Sequence, residues 1–125
     1  MDKILVVDDE KKIRDLYKKL LTAEGYKVIE ASNAAEANGL LMKDRIDVVL
    51  LDIKMPEIDG GEMYEVIKLF HRKSKVIVTS VYPLDEQKRI INDAADYYDK
   101  SQGYDALLDK IKRVLKDGKD GKGVY

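Results

Sequence analysis

The chain reads as an α/β fold: one doubly wound, five-stranded parallel sheet with five helices. Short runs rich in Val, Ile and Leu alternate with longer segments whose apolar residues recur at helical spacing. Such alternation predicts parallel strands joined by right-handed crossovers, with helices on both faces. Two of the apolar runs also stop at carboxylates, Ile4–Val7 at Asp8-Asp9 and Val48–Leu51 at Asp52. Open parallel sheets place their ligands beyond such carboxyl ends.

Taken in order, Lys3–Val7 is the first strand and ends at the polar Asp8-Asp9-Glu10. Lys11–Glu24 changes period, with Ile13, Leu16, Leu20 and Leu21 at helical spacing and Gly25 as the stop. Tyr26–Glu30 is the second strand and Asn33–Lys43 the second helix, weakened at Gly39, which costs about 1 kcal/mol against Ala. Asp47–Leu51, Gly61–Phe70, Lys75–Thr79, Asp85–Ala95, Asp96–Tyr98 and Ala106–Lys116 complete the alternation. Asp117–Tyr125 carries three glycines among charged residues and no apolar period. The expectation is a domain over residues 1–117, with 118–125 a flexible tail or linker stump.

At 125 residues one compact domain is expected, without room for a second, effector domain. The 23 basic and 24 acidic residues nearly cancel to a net charge of −1, so direct nucleic-acid binding is not expected. The tyrosines scatter over different elements and form no stacking platform for single strands. Without cysteine, disulfides and thiolate chemistry are excluded. No apolar run approaches the roughly 20 residues of a membrane span. A soluble cytoplasmic protein without membrane contact is expected.

Asp8, Asp9 and Asp52 form one pocket if the first and third strands are neighbours. Three carboxylates held together repel one another, and a divalent cation, typically Mg2+, relieves this. Thr79-Ser80 and Lys100 follow other strands at the same edge. Singly, each residue type is common at strand ends as a helix cap or solvated charge. Jointly they supply metal ligands, a carboxylate nucleophile, a hydroxyl and a cation, the set that phosphoryl transfer requires.

The runs Ile4-Leu5-Val6-Val7-Asp8-Asp9-Glu10, Leu50-Leu51-Asp52-Ile53-Lys54-Met55-Pro56 with Asp59-Gly60, Thr79-Ser80-Val81, and Asp96-Tyr97-Tyr98-Asp99-Lys100 resemble the receiver domain of bacterial response regulators, a flavodoxin-like (βα)5 fold. The resemblance spans residues 2 to 116 in order and spacing. It implies that Asp52 is the phosphoacceptor, supplied by a histidine kinase or phosphotransfer protein. It implies that Asp9 binds Mg2+ directly, Asp8 mainly through water, and Lys54 through its backbone carbonyl. Lys100 pairs with the acidic cluster and then with a phosphoryl oxygen.

The resemblance implies that the switch hydroxyl is Ser80, 28 residues after Asp52 as the family pattern favours, with Thr79 the runner-up. It implies too that Tyr97 is the rotating aromatic and that Lys54 and Tyr82 flank the line of water attack and tune dephosphorylation. The resemblance also implies a switch surface on the fourth helix, fifth strand and fifth helix around Leu84, Gln87, Ile91, Tyr97 and Tyr104. Partners would be a downstream protein or an output domain beyond the chain, and a phosphorylation-dependent homodimer.

Two departures from the family pattern bear on that surface. The segment between the hydroxyl and Lys100 is shorter than usual, so the fourth helix or its loop should be displaced. Ser101 follows Lys100 where a cis proline is frequent, so that loop should be less fixed. On the first helix, Lys11-Lys12, Arg14 and Lys18-Lys19 are either a solvated face paired to Asp15 or the side where a kinase docks. His71 is expected to be a solvated loop residue.

Two other function classes fit poorly. A phosphatase of haloacid-dehalogenase-like type needs an acid two residues after its nucleophile, where this chain has Lys54. A nucleotide-binding module needs a glycine-rich turn where this chain has Asp8-Asp9-Glu10.

Overall fold

The computed structural model describes residues 2–53 and 60–120. Five strands alternate with five helices: β1 (Lys3–Val7), α1 (Lys11–Ala23), β2 (Lys27–Ala31), α2 (Ala34–Lys43), β3 (Val48–Asp52), α3 (Gly60–Phe70), β4 (Lys75–Ser80), α4 (Leu84–Ile90), β5 (Asp96–Asp99) and α5 (Tyr104–Asp120). A 3₁₀ turn, Lys100–Gln102, separates β5 from α5. The sheet is parallel with order β2-β1-β3-β4-β5, so strand order reverses between β1 and β3. The doubly wound fold is as the sequence predicts. The strand and helix ends differ from the expected ones by one residue at most, apart from α4 and α5.

Two cores, one per sheet face, follow from the two-residue period of the strands. Leu5, Val7, Val49, Leu51, Val76 and Val78 pack against α2 and α3 through Ala37, Leu41, Met63 and Ile67. Ile4, Val6, Val48, Leu50 and Ile77 pack against α1 and α5 through Tyr17, Leu21, Leu107 and Ile111. All five residues of β3 are buried, which an apolar run bounded by a single carboxylate requires. Burying each such Val, Leu or Ile contributes about 1.5–3 kcal/mol.

Local chemistry sets the helix ends. Gly25, at φ +94°, accepts the left-handed turn that closes α1, with Gly25 N–H donating to Thr22 and Tyr26 N–H to Leu21. Asn33 caps α2 by accepting from Glu36 N–H, and the Glu36 carboxylate accepts from Ser32 N–H and Oγ–H. Those bonds hold Glu36 below the usual carboxylate range. Gly39 does not break the helix.

The fourth helix corrects the expectation of Asp85–Ala95. It stops at Ile90, because Ile91 is already extended at φ −131°, ψ 112°. Residues 91–95 instead form a link tied down by side chains: Tyr97 Oη donates to Ile91 O (2.7 Å) and accepts from Ala94 N–H (3.1 Å). Tyr64 Oη donates to Asp93 O (2.8 Å), and Lys68 Nζ reaches Asp93 Oδ2 (2.5 Å). The short hydroxyl-to-lysine segment is therefore absorbed by the C-terminal half of the helix. The fifth helix is longer than expected at both ends and continues to Asp120.

The loop after Lys100 is also better fixed than expected. Asp99 Oδ1 accepts from Ser101 N–H (2.9 Å) and Ser101 Oγ–H (2.8 Å), while Gln102 Oε1 accepts from Asp99 N–H (3.0 Å). This reciprocal cap does the work expected of the proline. The bonds from Ser101 hold Asp99 below the usual carboxylate range.

Lys68, by hydrogen bond, holds the Asp93 carboxyl below its ordinary value. Stability from a depressed carboxyl is fully present above the unfolded value, about 3.9, and is lost as pH falls through the lower folded value. Asp93→Asn should therefore melt below the native chain at neutral pH, by a small margin because the pair is exposed. The two melting temperatures should converge in acid below about pH 4. A gap that stays constant across a pH series would refute the linkage.

Candidate functional site

The carboxyl ends of β1 and β3 meet where the strand order reverses, because Val7 pairs with Leu51. The two next residues, Asp8 and Asp52, are therefore neighbours, at 1% and 4% exposure. With exposed Asp9 they form a triad in which one carboxylate oxygen from each lies within 4.8 Å of the others. The sequence predicts this cluster, and the structure brings it together.

Lys100 reaches the triad from the far end of β5. Its Nζ donates to Asp8 Oδ2 at 2.8 Å and to Asp52 Oδ2 at 3.4 Å. Burial pulls the ammonium's pKa down, but the hydrogen bond to Asp8 and the charges of Asp52 and Asp8 outweigh it, and the net shift is upward. Lys100 therefore stays charged at neutral pH. Three carboxylates against one ammonium leave a formal charge of −2 (three minus one). A divalent cation complements that charge, and oxygen-only donors suit a hard ion.

The two Asp residues of the turn differ in what they can offer. Asp8 Oδ1 already accepts from Glu10 N–H (2.9 Å) and its Oδ2 from Lys100. Its backbone carbonyl accepts from Arg14 Nη1 (2.8 Å), and Arg14 Nε in turn pairs with Glu30 (3.0 Å). Asp8 is thus held on three sides, while Asp9 faces solvent.

Thr79 and Ser80 end β4 and are both buried. Thr79 pairs with Asp52 in register, and Ser80 with Asp99. By alternation Ser80 lies on the face of Val78 and Tyr97, and Thr79 on the face of Ile77 and Tyr98. Ser80 Oγ accepts from Tyr82 N–H (3.1 Å) in a tight turn. Proximity along the register favours Thr79, whereas shared face with Tyr97 favours Ser80.

Tyr97 is buried, its ring 5.7 Å from Lys88 Nζ and its hydroxyl bonded to the α4–β5 link. Gln87 and Ile91 are also buried, and Tyr104 belongs to the opposite core with Tyr17, its ring centroid 6.4 Å away. Leu84 is half-buried. The expected switch residues thus lie largely beneath the surface, whose exposed apolar members are Val81 and Ile90. Asp85, Lys88, Arg89 and Ile90 are the exposed positions of α4, and sequence spacing alone does not show which way its residues turn. Burial raises the Tyr17 and Tyr104 hydroxyls above their ordinary pKa.

Lys54, expected to give a backbone carbonyl to the metal and to tune dephosphorylation, lies outside the described residues, as do Met55, Pro56 and Asp59. Tyr82 is half-buried at the start of the β4–α4 turn.

Two residues named in the sequence take roles that it does not predict. Arg14 is expected on a solvated or docking face with the lysines, but it sits three and seven positions before the buried Tyr17 and Leu21 and so shares their face. That spacing was a readable signal. Gln87, expected on the switch surface, is instead fully buried and donates to two backbone carbonyls, and nothing in its sequence neighbourhood marks that role. Lys11 does pair with Asp15 on the exposed face of α1 (2.9 Å).

The model of the family described as response regulator receiver domain matches residues 4–112. Sporulation initiation phosphotransferase F of Bacillus subtilis is 33% identical over 118 residues, which cover 91% of this chain and 94% of that protein. The response regulator protein TrrA of Thermotoga maritima, solved in complex with Mg(2+)-BeF, superposes with a TM-score of 0.84 at 37% identity, covering 92% of this chain and 100% of that one. TrrA has also been solved in complex with histidine kinase ThkA. A CheY-like receiver domain protein of Methanospirillum hungatei gives a TM-score of 0.86 at 31% identity, with 97% of this chain and 98% of that one covered. The chain spans about half the length of the curated transcriptional regulators it matches.

Proposed function

Because the chain belongs to the response regulator receiver domain family, a phosphoacceptor signalling module rather than a turnover enzyme, we propose that Asp52 accepts a phosphoryl group from a histidine kinase or phosphotransfer protein. The observation that carries the assignment is the position of Asp52: buried at the strand-order reversal, inside a three-carboxylate cluster and bonded to a lysine that follows β5. A bound Mg2+ would screen the incoming phosphoryl oxygens from the carboxylates. Asp9, Asp52 and the Lys54 carbonyl would hold it directly. Asp8, with both carboxylate oxygens engaged, would act mainly through water.

During transfer a carboxylate oxygen of Asp52 forms a bond to phosphorus as the donor's bond breaks, giving an aspartyl phosphate. Lys100 then exchanges its bond to Asp52 for one to a phosphoryl oxygen. The Ser80 hydroxyl takes another, with Thr79 as the alternative. Tyr97 answers the movement of that hydroxyl, and Lys54 and Tyr82 flank the path of attacking water. The first helix presents exposed Lys11, Lys12, Lys18 and Lys19, with half-exposed Leu16, as the face where the kinase docks. Arg14 is excluded from that face by its bonds to Asp8 and Glu30.

The domain covers residues 1–117, with 118–125 as a linker or tail. It works in the cytoplasm and signals through the α4-β5-α5 surface to a protein target, an output domain or a second copy of itself. Direct nucleic-acid binding and membrane contact are not part of its role. Among the described residues no helix is long and apolar enough to cross a membrane.

Incubation with acetyl phosphate and Mg2+ tests the assignment. Stoichiometric labelling at Asp52, located by mass spectrometry, is expected, and no label in the folded native chain would sink the proposal. Mg2+ alone should raise the melting temperature. At ten times its Kd the gain is about 1.4 kcal/mol by mass action. Replacing Asp9 with Asn should remove most of that gain.

A further inference from the structure

Gln87 lies on α4, away from the acidic triad, yet it is fully buried. Its Nε2 donates to Tyr82 O at 2.8 Å and to Tyr98 O at 3.0 Å. The first acceptor lies in the turn that begins at Ser80, whose Oγ is itself bonded to Tyr82 N–H. The second lies on β5, two residues before Lys100. A single amide thus ties together the two strand ends that carry the hydroxyl and the cation.

The other half of that amide makes the arrangement informative. Gln87 Oε1 is buried and has no hydrogen-bond partner among the described residues. An unsatisfied buried acceptor lowers stability, so packing alone would favour an apolar side chain of the same length at this position. What an apolar side chain would lack is the pair of donated bonds.

We propose that Gln87 is a positioning residue, a clamp that fixes the gap between the Ser80 turn and Lys100 so that both meet the phosphoryl oxygens together. This rests on the phosphoacceptor reading of Asp52. Each donated bond acts on a backbone carbonyl, so the clamp sets the path of two loops without touching the phosphoryl group. Transfer depends steeply on such placement, where an error of about 1 Å can cost a hundredfold in rate.

Gln87→Met keeps the length and burial and removes both bonds. It should fold, melting somewhat lower because the Tyr82 and Tyr98 carbonyls lose this donor, and keep its Mg2+ affinity, because the proposed metal ligands lie at the carboxyl ends of β1 and β3. Its rate of labelling by acetyl phosphate should fall about tenfold, less than the hundredfold or more seen when a direct oxyanion donor is removed. In a double-mutant cycle with Ser80→Ala, the combined slowing should be smaller than the product of the two single effects. Should the Met variant not fold, Gln87→Leu takes its place.

A labelling rate within twofold of the native chain, or strictly multiplicative effects in the cycle, would overturn the clamp. Failure of the native chain to label would overturn the phosphoacceptor reading instead. Slowing in both apolar variants no greater than the fraction of chain left unfolded would reduce Gln87 to a structural role and likewise overturn the proposal.

Discussion

Asp52→Asn is expected to take up no label from acetyl phosphate under conditions that label the native chain stoichiometrically. An amide oxygen is a poor nucleophile toward phosphorus, and no neighbour can substitute without changing the geometry. Asp8 is held by Glu10 N–H, by Lys100 and, through its carbonyl, by Arg14, whereas Asp9 is exposed beyond the strand end. The same substitution removes one of three crowded carboxylates while leaving Asp8 to pair with Lys100. Without metal, the variant should melt no lower than the native chain. Label retained in the variant would show that another residue accepts the group, and a large drop in melting temperature would show that Asp52 is mainly a structural partner of Lys100.

Lys100→Met carries the second large expectation, and its sign depends on metal. The ammonium is the described cation bonded to both buried carboxylates. Its removal leaves two buried charges facing each other without compensation, the situation in which breaking one side of a buried pair costs about 3–5 kcal/mol. Mg2+ should restore much of that loss, since it would screen the same carboxylates. Labelling should remain impaired even with saturating metal, because a phosphoryl oxygen loses its cation. Thermal melts with chelator and with excess Mg2+ separate the two effects. Equal melting of variant and native chain in chelator would contradict the ion-pair account.

The sheet and the acidic pocket were legible in the sequence for the same reason. Runs such as Ile4–Val7 and Val48–Leu51 are buried on both faces, so they must be apolar throughout, and a carboxylate that ends such a run marks its carboxyl edge. Lys100 was legible through its place after the fifth strand. The length of α4 was not, because Ile91 and the alanines after it are as compatible with a helix as with the link they form. What ends the helix is the Tyr97 hydroxyl on Ile91 O and Ala94 N–H, a tertiary contact that local propensity cannot contain. Arg14 shows the opposite case, in which helical spacing held the answer but the abundance of neighbouring lysines obscured it.

The bonds from Lys100 to Asp8 and Asp52 also bear on how such a protein behaves when its metal is scarce. A pocket of three carboxylates with no cation of its own would tie folding to the ionic composition of its surroundings. Here the chain carries its own counterion in Lys100, so the folded state should depend less on metal. On the proposed function, metal and phosphoryl group would arrive as two inputs to a site whose carboxylates are already paired, and the lysine would exchange its bond to Asp52 for one to the phosphoryl group. Such a domain would act as a coincidence detector, registering a signal through charge exchange at one side chain rather than through folding of the whole.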